Sequence, residues 1–486
     1  MARKQRETRY SDDRYARWRM AILAVALVFH TGLGLLKFHE PTGDAAEYHA
    51  LATNLVDDGS FGYSRDGSAD SIRPTARRMP LYPLFLALLY MLAGGGENGY
   101  LVVAPVQSFL MVVNVALVMA IGRRLFGAPV ALVAGVVSLF YQPYLFHLPT
   151  HLISDSLYLT LILSGLYALL RAEEGRWGLL AAAFFAFGLS IATRANGVLL
   201  LPVLFVWSWL SIRDRPRRWA MMLLFALCMT LPLVPWWIRN ARAFDRFIPL
   251  STNGGWNFYL GHNEAYAGNP GLGEGTDYAI FDHLLRDGRT EWEADRELYE
   301  RGLAFASSRP WETVVNVLRK AKVAFSVTTL RTWNLVCVTA IVFGAVALRC
   351  PPGHSRHKSV GGALIAAGVV LWLIQTAYVF SALNRGLAGA GISFGLMGIL
   401  GLAGMVVAFR RGHDHWLLTG LYLSQIAACL VYVPLTRIRW TVDFVVVLYA
   451  AVAIVGAAQW LFPQSYPQER DSEVEEPASQ RPPSSR

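Results

Sequence analysis

The sequence predicts an all-α polytopic membrane protein with about 12 transmembrane helices. Of its 486 residues, 54% are hydrophobic and only 16% are charged, whereas a soluble domain carries about 25% charged residues. The mean hydropathy is +0.36, and the apolar residues fall in blocks close to the ~20 residues that a helix needs to cross a bilayer. These observations exclude an ordinary soluble fold.

The direction of the spans follows from the distribution of charge. Basic residues concentrate at the N-terminus and in short connections between apolar blocks, so the positive-inside rule predicts that both termini are cytoplasmic. The predicted spans are 18–36, 100–121, 129–146, 153–171, 178–193, 196–211, 219–238, 331–348, 360–380, 391–409, 416–433 and 442–461.

A further apolar run, PLYPLFLALLYMLA at residues 80–93, is predicted not to cross the membrane. A helix of this length reaches only ~21 Å, whereas the hydrocarbon core is ~30 Å thick. Counting it as a span would also place the basic connections that follow on the outside. We therefore expect an interfacial helix within a first external loop, residues 37–99.

The spans divide the chain into segments with different expected roles. In the long external loop, apolar residues recur at helical spacing and Pro310 can start a helix, which predicts two amphipathic helices. The Pro-, Ser- and Glu-rich end of the chain is predicted to be disordered. The segments are a cytoplasmic basic tail 1–17, an N-terminal transmembrane module 18–238, an external loop 239–330, a C-terminal transmembrane module 331–462 and a disordered cytoplasmic tail 463–486.

The net charge of +10 does not indicate nucleic-acid binding. The sequence has no compact basic face with interleaved aromatic residues, so we expect no nucleic-acid partner. The four cysteines lie in apolar runs or in a basic connection. No disulfide framework is therefore expected in the external loops.

Asp44 lies in the stretch GDAAEYHALATNLVDDG, directly after the first span. A carboxylate with a reference pKa of ~3.9 is ionised there and can accept a hydroxyl proton. The alternative is that Asp44 caps a helix together with Glu47, three residues later. Tyr48 lies four residues after Asp44 and on the same face of such a helix. It is a candidate contact for a phosphate or an acceptor, or else an aromatic anchor at the membrane interface.

Arg77 and Arg78 directly precede the predicted interfacial helix. The planar fork of arginine suits phosphate because it donates two parallel hydrogen bonds. The alternative for each is a general attraction to membrane lipid headgroups. Because they lie outside, against the positive-inside trend, a shared anionic ligand is the more specific interpretation.

The second external turn reads FHLPTHLISDS and brings three possible metal ligands close in sequence. His147, His151 and Asp155 follow at intervals of four, which would align them on one helix face, but Pro149 interrupts such a helix and no fourth ligand is evident. A divalent metal therefore stays open. Asp155 is also a second carboxylate at the mouth of a span, where ionisable residues are usually functional. The alternative is a helix cap shared with Ser154.

Further arginines stand at the predicted external ends of other spans. Each taken alone is an ordinary interfacial anchor. Together they predict a cationic rim around Asp44. These arginines are Arg194, Arg239, Arg437 and Arg439.

The order of these motifs resembles the GT-C glycosyltransferases of the dolichyl-phosphate-mannose protein mannosyltransferase superfamily, in the broad bacterial branch that includes lipid A aminoarabinose transferase. The resemblance covers most of residues 40–265. The matching pieces are GDAAEYHALA, RRMPLYPLFLALLY, RRLFG, LISDSLYL, ATRANGVLLLP and PWWIRNARAFDRFIPLSTNGGWNFYLGHN.

The resemblance implies an inverting glycosyltransferase in which Asp44 is the catalytic base and Asp155 the second-loop acidic residue. Arg77 or Arg78 would bind the carrier phosphate, and Met79 separates both from the following proline, so the choice stays open. The chain has Asp44-Ala45 where the protein mannosyltransferases have a paired Asp-Glu. The acceptor therefore stays open among a lipid, a glycan and a protein.

The expected function is transfer of a sugar from a polyprenyl-phosphate donor to an acceptor at the outer, periplasmic face of the cell inner membrane. The alternatives are a transporter or flippase for lipid-linked sugars and a non-catalytic homologue that binds the carrier. A transporter is disfavoured because no convincing internal repeat of spans is present. No cofactor is implied, apart from a divalent metal, which stays open.

Overall fold

The computed structural model describes residues 2–64, 72–95, 97–172, 176–212, 214–264, 279–325, 394–412, 415–433 and 436–461. Within these ranges the chain is almost entirely helical, which confirms the predicted all-α class. One small antiparallel sheet joins β1 (Gly62–Tyr63) to β2 (Arg73–Pro74), with Gly62 opposite Pro74.

The first ten helices cover the predicted N-terminal module and the first external loop. They are α1 Ala2–Lys37, α2 Asp44–Asp57, α3 Leu81–Leu92, α4 Val103–Phe126, α5 Ala128–Phe140, α6 Asp155–Arg171, α7 Trp177–Thr193, α8 Leu201–Ser211, α9 Arg215–Thr230 and α10 Val234–Phe244. Short 3₁₀ or π segments extend them at Glu97–Val102, Pro143–His147, Ala195–Leu200 and Leu231–Leu233.

The remaining described helices belong to the long external loop and the C-terminal module. They are α11 Gly254–Leu260, α12 Ile280–Arg286, α13 Glu291–Ser308, α14 Pro310–Phe325, α15 Phe394–Arg410, α16 Trp416–Val431, α17 Thr436–Trp440 and α18 Phe444–Leu461.

Among the described residues, four stretches of helix are long and apolar enough to cross a membrane. Shorter apolar helices coincide with other predicted spans, namely α5, α7, α8, α15 and α16. This supports a multi-pass membrane protein, while the count of about 12 spans stays a prediction. The four long stretches are Asp12–Lys37, Gly99–Phe126, Arg215–Phe244 and Phe444–Leu461.

Some sequence predictions fall outside the described residues. These are the spans 331–348 and 360–380, the tail 463–486, and two of the cysteines, Cys337 and Cys350. The other two cysteines, Cys228 and Cys429, are free thiols.

Helix α3 has the length expected of an interfacial helix. Its 12 residues extend ~18 Å, less than the ~30 Å hydrocarbon core. It packs against α2, where the rings of Tyr48 and Tyr82 meet edge to face at 4.9 Å. Its opposite side exposes Leu84, Leu88 and Met91. This geometry supports the interfacial assignment.

Contacts at the two ends of α1 join segments that the predicted topology places on the same side of the membrane. The helix includes most of the predicted basic tail, and Asp12 pairs with Arg123 at the end of α4 at 2.7 Å. At the other end, the amide of His39 donates to the carbonyl of Thr150 at 2.9 Å. The ends of a helix of 25 residues lie ~38 Å apart. The contact at one end therefore joins two segments predicted to be cytoplasmic, and the contact at the other end joins two segments predicted to be external.

The largest apolar core lies between α4–α7 and the C-terminal helices α15, α16 and α18. Helices α15 and α18 approach most closely at Gly404, where a Cβ would overlap the carbonyl of Tyr449. Small residues permit such close helix contacts in membrane proteins. The C-terminal module therefore packs directly on the N-terminal one.

The two amphipathic helices predicted in the external loop are present as α13 and α14. Thr290 and Glu293 form a reciprocal capping box at the start of α13, and α14 begins at Pro310 as expected. An amphipathic helix is expected to pack with its apolar face against the protein, and α14 does not. Its apolar Leu318 is exposed, whereas Lys320 is buried against α16, where its Nζ lies 3.4 Å from the carbonyl of Val431.

Candidate active site

Asp44 lies at the centre of a group of ion pairs at the first turn of α2. Its Oδ1 accepts from Nη2 of Arg78 at 2.5 Å, and its Oδ2 accepts from Nη2 of Arg437 at 2.7 Å. Its side chain remains 34% exposed. The structure thus joins the first external loop to the last external turn described.

The alternative interpretation of Asp44 as a helix cap is wrong. The cap position is Gly43, whose φ of 54° is in the left-handed region that glycine adopts readily. No side chain caps this helix. The carboxylate of Asp44 is instead turned toward Arg78 and Arg437.

Arg78 is held between two carboxylates and an aromatic ring. Its Nε donates to Glu47 at 2.7 Å, and its guanidinium lies 5.4 Å from the ring centre of Tyr48. Glu47 also accepts from the hydroxyl of Tyr63 at 3.3 Å. Glu47, expected to act in a cap, therefore orients Arg78.

Arg77 turns away from Asp44. Its guanidinium pairs with Asp282 at 3.1 Å and lies 4.9 Å from the ring centre of Phe281, both on α12. Its contact with Glu47 is long, at 4.0 Å. Of the two adjacent arginines, Arg78 is the one that faces the candidate base.

The segment that carries both arginines is fixed by Glu291, the first residue of α13. The carboxylate accepts from the hydroxyl of Thr75 at 2.6 Å, from the amide of Ala76 at 2.8 Å and from the hydroxyl of Thr252 at 2.9 Å. The long external loop thereby determines the position of the arginines.

Asp155 is the second carboxylate of the group and is fully buried. Its Oδ2 lies 3.3 Å from Nε of Arg437 and 2.7 Å from Nη1 of Arg194. No side chain caps the start of α6, so the alternative of a cap shared with Ser154 is wrong. Asp44, Arg437, Asp155 and Arg194 form a continuous chain of alternating charge.

Tyr48 lies next to this row of charged side chains. It is buried, so the alternative of an aromatic anchor at the membrane interface does not hold. Its hydroxyl shares a hydrogen bond with that of Ser154 at 3.3 Å. The neighbouring Tyr82 donates to Gln107 at 2.6 Å, and Gln107 donates to the carbonyl of His151 at 2.7 Å. These bonds hold the second external turn against α2.

Arg239 and Arg439, expected on the same cationic rim, do not join the group. Arg239 donates to the carbonyls of Thr75 and Phe61 at 2.7 and 2.6 Å. Arg439 is buried and pairs with Asp443 at 3.1 Å. The rim around Asp44 is therefore smaller than predicted.

The histidines of the second turn do not align on one helix face. His147 ends a π segment, His151 lies in the turn and α6 begins only at Asp155, so no single helix carries all three residues, as the interruption at Pro149 predicts. Among the described residues, no group of three or more His, Cys, Asp or Glu side chains is arranged to hold a metal ion. The ring of His151 instead lies 4.3 Å from that of His39.

A cavity of about 170 Å³ opens beside Asp44. His39 and Glu40 were not predicted as site residues, although both lie shortly after the first predicted span. The lining residues are His39, Glu40, Thr42, Asp44, Ala45, His151, Leu152, Ile153 and Arg437.

The charges around Asp44 determine its protonation state. Burial alone would raise the pKa of Asp44, but the guanidinium groups of Arg78 and Arg437 outweigh it and hold the pKa well below its usual range. Burial would lower the pKa of Arg437, but the carboxylates of Asp155 and Asp44 outweigh it and raise the pKa. The site therefore presents the ionised carboxylate of Asp44 between two cations. The two arginines can bind an oxyanion, and when they move from Asp44 to that oxyanion, the carboxylate is free to act as a base.

An all-α membrane fold with this ion-paired carboxylate in its first external loop has the features expected of a GT-C glycosyltransferase. Residues 74–237 match the family model described as dolichyl-phosphate-mannose-protein mannosyltransferase. The match includes Arg78, Asp155 and Arg194, but it begins after Asp44 and ends before Arg437. It confirms the resemblance predicted from the sequence and supports a glycosyltransferase.

Solved structures give further similarities. The oligosaccharyltransferase of Archaeoglobus fulgidus, in its apo form, is 14% identical with a TM-score of 0.49 over 92% of this chain and 52% of its own. ArnT from Cupriavidus metallidurans, bound to undecaprenyl phosphate, is 14% identical with a TM-score of 0.40 over 92% and 80% of the two chains. The chain thus spans about half the length of the archaeal protein. No curated protein matches the sequence.

Proposed function

We propose that this protein is an inverting glycosyltransferase that moves a sugar from a polyprenyl-phosphate donor to an acceptor at the outer face of the inner membrane. The observation that carries the proposal is the position of Asp44 between Arg78 and Arg437. A carboxylate between two guanidinium groups supports the proposal, because such a transfer requires a base and donors for a phosphate.

In the proposed reaction, Asp44 takes the proton of the acceptor hydroxyl. The acceptor oxygen forms a bond to the anomeric carbon from the side opposite the phosphate. The bond from that carbon to the phosphate oxygen breaks, and its electron pair leaves with the polyprenyl phosphate. Inversion at the anomeric carbon follows from attack on the opposite side.

Arg78 and Arg437 are proposed to bind the carrier phosphate. The phosphate gains negative charge as the bond breaks, so donors already in position stabilise the transition state more than the ground state. Asp155, predicted as a second catalytic carboxylate, is assigned here as a positioning residue, because it reaches the site through Arg437 and Arg194.

The ion pairs also give a reason for the donor to bind before the base acts. With both arginines in place, the pKa of Asp44 is low and the carboxylate is a weak base. A carrier phosphate competes with Asp44 for the same guanidinium groups. As the arginines move to the phosphate, the pKa of Asp44 rises and proton transfer becomes more favourable.

The test uses the purified protein in lipid vesicles with a panel of radiolabelled polyprenyl-phosphate hexoses and pentoses. Water serves as a minimal acceptor, so release of free sugar reports on the reaction before the true acceptor is identified. We expect release from at least one donor, and the first-formed sugar should have inverted configuration. Movement of intact donor across the bilayer without release would identify a transporter, and binding without either outcome a non-catalytic homologue.

A further inference from the structure

The cavity beside Asp44 lies on a different side of the carboxylate from the Arg78 contact. It is lined by His39, Glu40 and His151 in addition to Asp44, whereas Arg78 does not line it. Its volume of about 170 Å³ is roughly five times the ~30 Å³ share of one water molecule. The cavity therefore has room for a small ring.

The charge of the lining disfavours a phosphate in this cavity. Glu40 and Asp44 contribute two carboxylates to the lining, against one arginine, Arg437. Burial and the neighbouring histidines lower the pKa of His151 to about 4, so its ring is neutral near pH 7. Carboxylates and the neutral imidazole of His151 suit a ligand that donates hydrogen bonds.

The rings of His39 and His151, which both line the cavity, pack against each other and are already held in place. Their centres lie 4.3 Å apart with an angle of 31° between the planes. The main chain of His39 is bonded to Thr150, and Nδ1 of His151 lies 2.9 Å from the hydroxyl of the same threonine. A pocket lined by aromatic rings and a few fixed polar groups is typical of small-molecule sites, and its rigidity reduces the entropy lost on binding.

We propose that this cavity, defined by His39, Glu40 and His151, is the acceptor subsite and that it binds a neutral, hydroxyl-rich sugar unit. The proposal rests on the proposed function and extends it by giving the chemical class of the acceptor. The sugar ring lies against the histidine rings, Glu40 accepts from one hydroxyl, and another hydroxyl reaches Asp44. The donor phosphate is bound by Arg78, which does not line the cavity, and by Arg437, which does.

The test measures binding of the two ligand classes separately. The full-length protein in detergent is titrated with a panel of neutral methyl glycosides and disaccharides, followed by saturation-transfer NMR, and with undecaprenyl phosphate as the probe of the donor side. The variants are His39→Ala and Glu40→Gln. Both positions are exposed, so folding is expected to survive. The matched control for Glu40 is Glu300→Gln on the exposed face of α13.

Wild-type protein should bind at least one glycoside of the panel. Glu40→Gln should weaken that binding roughly 10-fold, the loss expected for one hydrogen bond to a charged group. His39→Ala should also weaken it, because the variant removes a ring that lines the cavity. Both variants should leave the affinity for undecaprenyl phosphate unchanged. The Glu300→Gln control should match the wild type. Absence of glycoside binding, or an equal loss of glycoside and phosphate binding in the variants, would overturn the acceptor assignment.

The two proposals fail in distinguishable ways. Release of sugar from a labelled donor, together with no glycoside binding, would leave the glycosyltransferase in place and remove the subsite. Glycoside binding without donor release by the wild type would point to a carbohydrate-binding protein, and the cavity would then not be an acceptor subsite.

Discussion

Arg437 donates to Asp44 at 2.7 Å across 393 residues of chain. This contact joins the first external loop to the turn before the last described helix. The predicted N-terminal module 18–238 therefore does not hold the whole candidate site, since Arg437 belongs to the segment 331–462. A truncation after the N-terminal module would leave Asp44 with Arg78 alone.

The first prediction separates the two adjacent arginines. Arg78→Ala should weaken binding of undecaprenyl phosphate roughly 10- to 150-fold, the range for one charge-assisted contact of ~1.5–3 kcal/mol. Arg77→Ala should have a much smaller effect, because Arg77 pairs with Asp282 and turns away from Asp44. Titration of both purified variants in detergent measures the difference. A larger loss in Arg77→Ala would assign the phosphate contact to Arg77. Equal losses would contradict the distinction between the two arginines.

The second prediction concerns the interfacial helix α3. In a background without the four native cysteines, Asp58→Cys and Ala93→Cys flank α3 on exposed positions. An impermeant thiol reagent added outside intact cells should label both. Arg124→Cys, in the predicted first cytoplasmic connection, is the control that should stay unlabelled. Protection of Ala93→Cys alone would mean that α3 crosses the membrane and that the later loops are inverted.

The third prediction concerns pH and stability. Burial and the neighbouring His39 and His147 lower the pKa of His151 to about 4, whereas an unfolded histidine titrates near ~6.5. Between these values the unfolded chain binds a proton that the folded chain does not, so stability should fall as the pH decreases from about 6.5 to 4. Thermal unfolding in detergent at several pH values should show a shallower fall for His151→Gln. Identical slopes would remove His151 from the effect.

The fourth prediction concerns Glu291 as a positioning residue. Glu291→Gln keeps the size of the side chain but weakens the bonds to Thr75, Ala76 and Thr252 that fix the arginine segment. Donor KM should rise roughly 2- to 10-fold, as expected for partial loss of such hydrogen bonds, with kcat less affected. Glu300→Gln on the same helix is the control. A fall in kcat with constant KM would contradict a role in holding the donor side.

Much of the fold was predictable because hydrophobic blocks and charge follow local rules. Ten of the predicted spans coincide with described helices, α3 is too short to cross, and α14 starts at Pro310. The orientation of α14 was not predictable in this way. Its polar face turns inward because Lys320 meets the end of α16, a contact between distant segments.

The candidate site was predictable where residue type alone indicated the chemistry. Asp44, Arg78, Asp155, Arg194 and Arg437 were named from the sequence, and the structure brings them together.

The wrong and missed predictions at the site depend on the direction in which a side chain points and on contacts between residues far apart in the sequence. Arg437 and Arg439 are two residues apart on α17, so a helix turns their side chains to different sides, and only Arg437 faces Asp44. His39 and Glu40 were missed because the cavity that they line forms only when the second external turn packs against the end of α1.

The measurement that tests the central claim most directly is donor turnover by Asp44→Asn. This change keeps the shape of the side chain and removes its ability to take a proton, so turnover should fall ~10²- to 10⁴-fold while undecaprenyl phosphate still binds. Asp12→Asn, which removes a carboxylate paired with Arg123 at the opposite end of α1, should keep wild-type turnover. An Asp44→Asn protein that releases sugar at the wild-type rate would contradict the assignment of Asp44 as the base.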